Sequence, residues 1–135
     1  MLVDFKREAR SLQRGSNTLA RAAASVMLDE TLDWYRKDLI THLTKIRNIC
    51  YKRMNEIPGV SFPEVEGTYV PFPKFEFDMS SKELHEYFVK EAKIALNAGS
   101  NFGPGGEGHM RICFATSKAI INETIDRMER ALSKL

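Results

Sequence analysis

Arg111 is the residue whose type and setting point most directly to chemistry. It lies in an otherwise apolar run, residues 110–115, directly after a glycine-rich stretch, residues 99–108. The planar guanidinium of arginine can hold a carboxylate through two parallel hydrogen bonds, and apolar surroundings strengthen that pairing. The position therefore indicates an anion site. The alternative left open is that Arg111 lies on the exposed face of a sheet and pairs with an internal acid such as Glu76.

The glycine-rich loop, residues 99–108, contains five glycines and one proline, which argues against regular structure. It lacks the Gly-Lys-Ser/Thr ending of a phosphate-binding loop, and Glu107 places a negative charge within it. A loop that closes over a ligand agrees better with these residues, since glycine lets backbone approach closely. The competing interpretation is a flexible connection between two strands.

The other residue types capable of chemistry form no catalytic or metal pattern. His42 and His85 fall on amphipathic stretches, whereas His109 adjoins the glycine-rich loop, where it could contact a ligand. The two cysteines, Cys50 and Cys113, lie in apolar patterns without a second ligand type at short spacing. We therefore expect neither a disulfide framework nor a metal site.

Composition places these residues in one ordinary domain. The chain has 135 residues, of which 43% are apolar, and a net charge of +2 with both signs interspersed. This distribution argues against a nucleic-acid partner, which usually requires a concentrated basic face. The longest apolar runs are far shorter than the roughly 18 residues of a membrane span, and the first residues do not show the charged and then apolar pattern of a signal peptide. A cytoplasmic protein without membrane contact is expected.

The elements that must position Arg111 begin with two helices. Ser16 or Asn17 can cap a helix that ends at Met27. An apolar stripe over residues 28–57 then predicts one helix of about eight turns, ended by Pro58-Gly59. A stripe of this length exceeds what one small domain covers, so part of it is expected to contact something else.

The remaining pattern predicts short strands at residues 60–62, 68–77, 94–96 and 110–115. In the last of these, Met110, Ile112 and Phe114 are expected to face one side of the sheet, and the residues between them, Arg111 among them, the other. Pro71 and Pro73 lack amide donors and confine their strand to an edge or a bulge. A capping box from Ser80 to Glu83 starts one helix, and Thr116 or Ser117 caps the last. The predicted fold class is α/β, an α+β small domain whose mixed or antiparallel sheet has helices on one face, preceded by a long interdomain-type helix.

Two motifs near the end of the chain resemble fold type I pyridoxal-phosphate-dependent aminotransferases of the aspartate and aromatic aminotransferase class. They are Gly99-Ser100-Asn101-Phe102-Gly103 and Gly108-His109-Met110-Arg111-Ile112-Cys113-Phe114-Ala115-Thr116. In that family a Gly-Ser-x-Phe-Gly loop precedes a strand of the form Arg-[Ile/Leu]-x-Phe-Ala. Residues 55–60 and 66–73 resemble the helix-to-strand turn and the next strand of the family. The resemblance covers nearly the whole chain.

The resemblance implies roles for four residues. Arg111 matches the strand arginine that holds the substrate α-carboxylate, and Ser100 and Phe102 match the loop beside it. Tyr69 stands where an aromatic residue approaches the substrate side chain. Residues 1–27 would be a residual segment of the large domain, residues 28–58 the connecting helix, and residues 59–135 the small domain.

The resemblance also implies that part of the machinery lies elsewhere. The family's Schiff-base lysine belongs to a segment upstream of this similarity, and Lys6, with neighbours Phe5, Arg7 and Glu8, does not match it. The chain is thus expected to contain no catalytic residue and to bind no cofactor tightly alone. Pyridoxal 5'-phosphate would belong to the parent enzyme.

The expected partners follow from this division. They are the carboxylate of an amino acid or a 2-oxo acid, and the missing large domain or a second subunit, since the family is dimeric. The alternative function is a non-catalytic interaction module that reuses this fold and binds a partner through the long helix.

Overall fold

A computed structural model describes residues 17–135, and the chain divides into two compact units after residue 39. In the first unit, helix α1 (Thr18–Met27) follows Asn17, whose side-chain oxygen accepts a 2.8 Å hydrogen bond from the Leu19 amide. Asn17 is therefore the cap, and Ser16, the alternative, lies outside the described residues. None of the helices described is long and apolar enough to cross a membrane.

The long helix α2 (Asp33–Asn55) begins later than the apolar stripe predicted. The stripe placed its start at residue 28, but Asp29 accepts hydrogen bonds from the amide and the hydroxyl of Thr31, at 2.9 and 2.6 Å. These bonds cap a separate 3-10 turn (Glu30–Leu32), because aspartate competes for backbone amides in this way. The predicted single helix over residues 28–57 is wrong at its first turn.

The second unit contains the hydrophobic core. The stripe of α2 is buried in its carboxy-terminal half, where it meets helix α4 (Lys118–Leu132), capped by Ser117 as predicted. The buried residues of α2 belong to the apolar stripe predicted over residues 28–57. The buried residues of these two helices are Ile46, Cys50, Met54, Ile121, Ile125, Met128, Ala131 and Leu132.

Four short strands form two antiparallel pairs, β1 (Val60–Ser61) with β2 (Lys74–Phe75), and β3 (Asn97–Ala98) with β4 (Met110–Arg111). Hydrogen bonds between residues 69–75 and 108–114 join the pairs, and this pairing is antiparallel. The predicted strand over residues 68–77 is reduced to β2 because Pro71 and Pro73 accept bonds of 3.1 Å from the facing amides but cannot return them.

One predicted strand lies in the wrong place. Residues 94–96 were expected to be extended, but β3 occupies Asn97–Ala98 instead. Helix α3 (Ser81–Tyr87), started by the predicted Ser80 and Glu83 capping box, continues into a π turn (Phe88–Ala92). Lys93 then adopts a left-handed conformation, with φ of 57°, and the Ile94 amide bonds back to the Phe88 carbonyl at 3.1 Å. The end of the helix therefore extends to Ile94, the first residue of the predicted strand over residues 94–96.

Candidate functional site

Arg111 lies on the side of the sheet that faces away from the core. Met110, Ile112 and Phe114 are buried, as their alternation predicted, and Arg111 between them is only half-buried. In the pairing of residues 69–75 with 108–114, Arg111 lies opposite Phe72. Asn97 pairs with it from β3. The strand register thus places Arg111 between an aromatic residue and an amide residue of the neighbouring strands.

The guanidinium of Arg111 rests on an aromatic ring rather than on an acid. Its Cζ atom lies 4.5 Å from the centroid of the Phe102 ring, within the range of a cation–π interaction. The Phe102 ring in turn meets that of Phe72 edge to face, with centroids 5.2 Å apart. The glycine-rich loop therefore places an apolar platform beside the arginine.

No carboxylate within residues 17–135 pairs with Arg111. Glu76, the acid that the alternative interpretation assigned to it, instead accepts a 2.8 Å bond from Lys74, and this bond lowers the pKa of Glu76. The internal pairing with Glu76 is therefore wrong. Half-buried Arg111 therefore keeps its side-chain N–H donors unpaired within residues 17–135.

The loop that carries Phe102 is closed on itself. A Cβ atom on Gly99 would lie 2.3 Å from the Gly106 carbonyl oxygen, and one on Gly106 would lie 1.9 Å from the Gly99 oxygen. Only glycine permits this contact. The loop forms two 3-10 turns (Gly99–Phe102 and Pro104–Gly106), so the expectation that it holds no regular structure is wrong.

Two residues that the sequence analysis missed tie this loop to α3. The Ser81 amide donates a 2.6 Å bond to Oε1 of Glu107, and the Ser81 hydroxyl accepts a 2.9 Å bond from the Gly108 amide. The bond from Ser81 lowers the pKa of Glu107. From the sequence, Glu107 was interpreted only as a negative charge that argues against phosphate binding. The available signal was a second serine beside the capping serine, Ser80.

The other predicted site residues are placed less centrally. Tyr69 is half exposed and lines a cavity of about 320 Å³ with Arg47 and Phe114, whereas Phe102 lines a separate one of about 690 Å³. The structure thus does not bring Tyr69 and Phe102 together in one cavity. The Oγ atom of Ser100 is buried and has no hydrogen-bond partner within residues 17–135.

The histidines contact backbone carbonyl oxygens, and the cysteines form no disulfide. Ring nitrogens of His42 and His109 lie 2.9 Å from the carbonyl oxygens of Thr116 and Glu107. His85 likewise contacts the Leu96 carbonyl oxygen. Both cysteines are free, and burial raises the pKa of the Cys50 thiol to about 12, which suppresses its nucleophilic thiolate.

The described residues do not provide the cofactor site that the resemblance implies. Every lysine within residues 17–135 is exposed, so none lies in a pocket that would shield an imine from water. In the same range, no group of histidine, cysteine, aspartate or glutamate side chains could hold a metal ion. Lys6 lies outside the described residues.

Comparison with known proteins relates the whole arrangement to one group of enzymes, although no family model matches the chain. It is 36% identical over 114 residues to aromatic-amino-acid aminotransferase 2 of Thermococcus litoralis, which covers 84% of the chain but 29% of that protein. The solved aromatic aminotransferase of Pyrococcus horikoshii superimposes with a TM-score of 0.77 at 33% identity, covering 84% of the chain and 30% of the enzyme.

Cystalysin of Treponema denticola, solved with pyridoxal 5'-phosphate, gives a TM-score of 0.80 at 27% identity. The match covers 94% of the chain and 33% of cystalysin. The chain thus spans about three-tenths of the length of the curated relatives it matches, such as 29% of the Thermococcus protein. By sequence and by fold, the chain is related to the pyridoxal-phosphate-dependent aminotransferases, both aspartate and aromatic aminotransferases and cystathionine beta-lyase-like enzymes, and it matches the carboxy-terminal portion of these proteins.

Proposed function

We propose that this chain is the part of an aminotransferase that binds the substrate carboxylate, with Arg111 as the anchor. The observation that carries the proposal is the unpaired guanidinium stacked on Phe102. A carboxylate can accept two bonds from the guanidinium, while the rings of Phe102 and Phe72 exclude water from one side. Asn97, whose side chain has no hydrogen bond within residues 17–135, adds a second donor beside it.

The reaction of the complete enzyme is the transfer of an amino group between an amino acid and a 2-oxo acid. Pyridoxal phosphate supplies the electron sink for such chemistry when it is bound. We infer that the lysine that holds it belongs to the large domain or to a second subunit, and that this chain alone is inactive. Residues 1–27 would then belong to the large domain, residues 28–58 would connect the domains, and residues 59–135 would form the small domain. The two free cysteines favour a cytoplasmic setting.

A second candidate function is an interaction module without catalysis. Its support is the set of large apolar side chains exposed in the first unit, where Leu19 is 79% and Leu28 75% exposed. A surface of this kind commonly marks a contact with another chain. The coding region upstream discriminates the two functions: an adjacent cofactor domain with a lysine favours the enzyme, and its absence favours the module.

Titration of the full chain with pyruvate tests the first proposal. Hydroxyacetone, which replaces the carboxylate by an alcohol, serves as the matched probe. We expect pyruvate to shift the Arg111 Nε–Hε signal in nuclear magnetic resonance spectra with saturation, and hydroxyacetone to leave it unchanged. Equal responses to both probes, or no response of Arg111 to pyruvate, would contradict the carboxylate-binding role.

A further inference from the structure

The tie between the glycine-rich loop and α3 has a consequence for Arg111. We propose that Ser81 and Glu107 are positioning residues that hold the loop in the conformation that keeps Phe102 beside the guanidinium. The proposal rests on the carboxylate-binding function proposed for Arg111, but its geometric part concerns the chain without any ligand. Neither residue contacts the guanidinium itself in the structure.

Ser81 is the buried end of this tie. It is fully buried, and three consecutive loop residues bond to it. Its amide donates to Oε1 of Glu107 at 2.6 Å, and its hydroxyl donates to the Gly106 carbonyl at 3.3 Å and accepts from the Gly108 amide at 2.9 Å. Leaving a buried polar group without its hydrogen-bond partner destabilises the folded chain. These bonds therefore hold residues 106–108 at the start of α3.

The glycine contact transmits this position to Phe102. Gly106 packs backbone to backbone on Gly99, and its amide bonds to the Gly103 carbonyl at 3.0 Å. Gly99 opens the 3-10 turn that ends at Phe102. A shift of Gly106 therefore displaces both ends of the turn that presents the Phe102 ring to Arg111.

The same tie controls the charge around Arg111. Glu107 is the acid of the glycine-rich loop, and it lies four positions before Arg111 in the sequence. Its carboxylate is bonded to the Ser81 amide, which leaves Arg111 without an internal competitor for a ligand carboxylate. A loop that slipped from α3 would release this acid near the anchor, so the tie both places the platform and keeps the guanidinium unpaired.

The test compares two carboxylates at the same end of α3. Glu107→Ala removes the one that bonds the loop to Ser81, whereas Glu83→Ala removes the one that bonds Ser80 and has no hydrogen bond to the loop. The Arg111 Nε–Hε signal of the ligand-free full chain is the readout, because the Phe102 ring current displaces it. An Arg111→Lys spectrum assigns the signal, and melting curves measure the stability of each variant.

We expect Glu107→Ala to abolish the ring-current displacement. It should also weaken pyruvate binding by about fivefold, which corresponds to the net free energy of one ordinary hydrogen bond. Glu83→Ala should lower the melting temperature but preserve both the displacement and the affinity. Glu107→Gln retains an acceptor oxygen for the Ser81 amide and should restore the displacement, which covers the case in which Glu107→Ala fails to fold.

Two outcomes would overturn the proposal. One is an unchanged Arg111 signal in folded Glu107→Ala, and the other is an equal loss of displacement in Glu83→Ala and Glu107→Ala. If the displacement collapses only in Glu107→Ala while the unaltered chain binds no pyruvate, the positioning of Arg111 is supported and the carboxylate function fails. The two claims are therefore tested separately.

Discussion

The two faces of residues 110–114 differ in what their side chains contact. On one face, Met110, Ile112 and Phe114 are at most 2% exposed and form part of the core. On the other, Arg111 has neither a hydrogen bond nor an ion pair within residues 17–135 and rests on the Phe102 ring. Packing accounts for the first face completely, whereas nothing in the described fold requires an arginine on the second. This difference supports our proposal that Arg111 binds a ligand.

The largest expected effect is a loss of stability from a substitution on the buried face. Phe114→Ala removes a fully buried ring and should lower the free energy of unfolding by about 3 to 5 kcal/mol. Urea denaturation followed by circular dichroism measures it. Cys113→Ala, at the exposed neighbouring position, is the control and should change stability by less than about 0.5 kcal/mol. Comparable losses in both variants would remove the distinction between the faces.

The next effect sharpens the comparison at the loop that carries Phe102. Gly106→Ala places a Cβ atom 1.9 Å from the Gly99 oxygen, and it should cost about 1 to 3 kcal/mol of stability as the loop yields. Gly105→Ala is the matched control, because a Cβ atom there meets nothing within 4 Å. Thermal unfolding of the two variants measures the difference. Equal melting temperatures would show that the glycine contact does not hold the loop.

The sequence predicts the parts of this arrangement that depend on local pattern. The alternation of Met110, Ile112 and Phe114 and the capping box of Ser80 and Glu83 are each contained within a few residues, and both are observed. The left-handed Lys93 that moves β3 has no signal in residue type, because it results from how a π turn closes.

The tie between Ser81 and Glu107 could not be predicted for a different reason. Its two ends are 26 positions apart, and only the folded chain brings them together. The prediction that Arg111 binds an anion, by contrast, follows from a charge placed within an apolar alternation. The contact between Arg111 and the Phe102 ring could not be predicted, because it depends on how the glycine-rich loop folds and not on the number of residues between the two.

A smaller effect tests whether the exposed face is free. Asn97→Asp places a carboxylate opposite Arg111 across β3 and β4, where it should pair with the guanidinium and weaken pyruvate binding by about two- to fivefold, as an exposed ion pair allows. Ser61→Asp adds the same charge opposite Lys74 on the other strand pair and should leave the affinity unchanged. Isothermal titration or chemical-shift titration measures both. An unaffected Asn97→Asp would mean that this side chain does not reach the anchor.

The smallest effect is the pH dependence of the loop. The bond from Ser81 lowers the pKa of Glu107 in the folded chain, so its stabilising contribution is present above the ordinary glutamate pKa of about 4.3 and is lost as the pH falls through the lowered value. Glu107→Gln lacks this titration. We therefore expect the unaltered chain to lose more stability than Glu107→Gln between about pH 5 and pH 3. Parallel stability curves would contradict the contribution of Glu107.

The central claim is that Arg111 is kept for a carboxylate and not for the fold. Its most direct test measures unfolding and pyruvate binding together in Arg111→Lys, which keeps the charge but loses the planar fork. We predict an unfolding free energy within about 0.5 kcal/mol of the unaltered chain and a loss of at least about fivefold in pyruvate affinity. Unchanged affinity, or a stability loss above about 2 kcal/mol, would contradict the assignment and return Arg111 to a structural role.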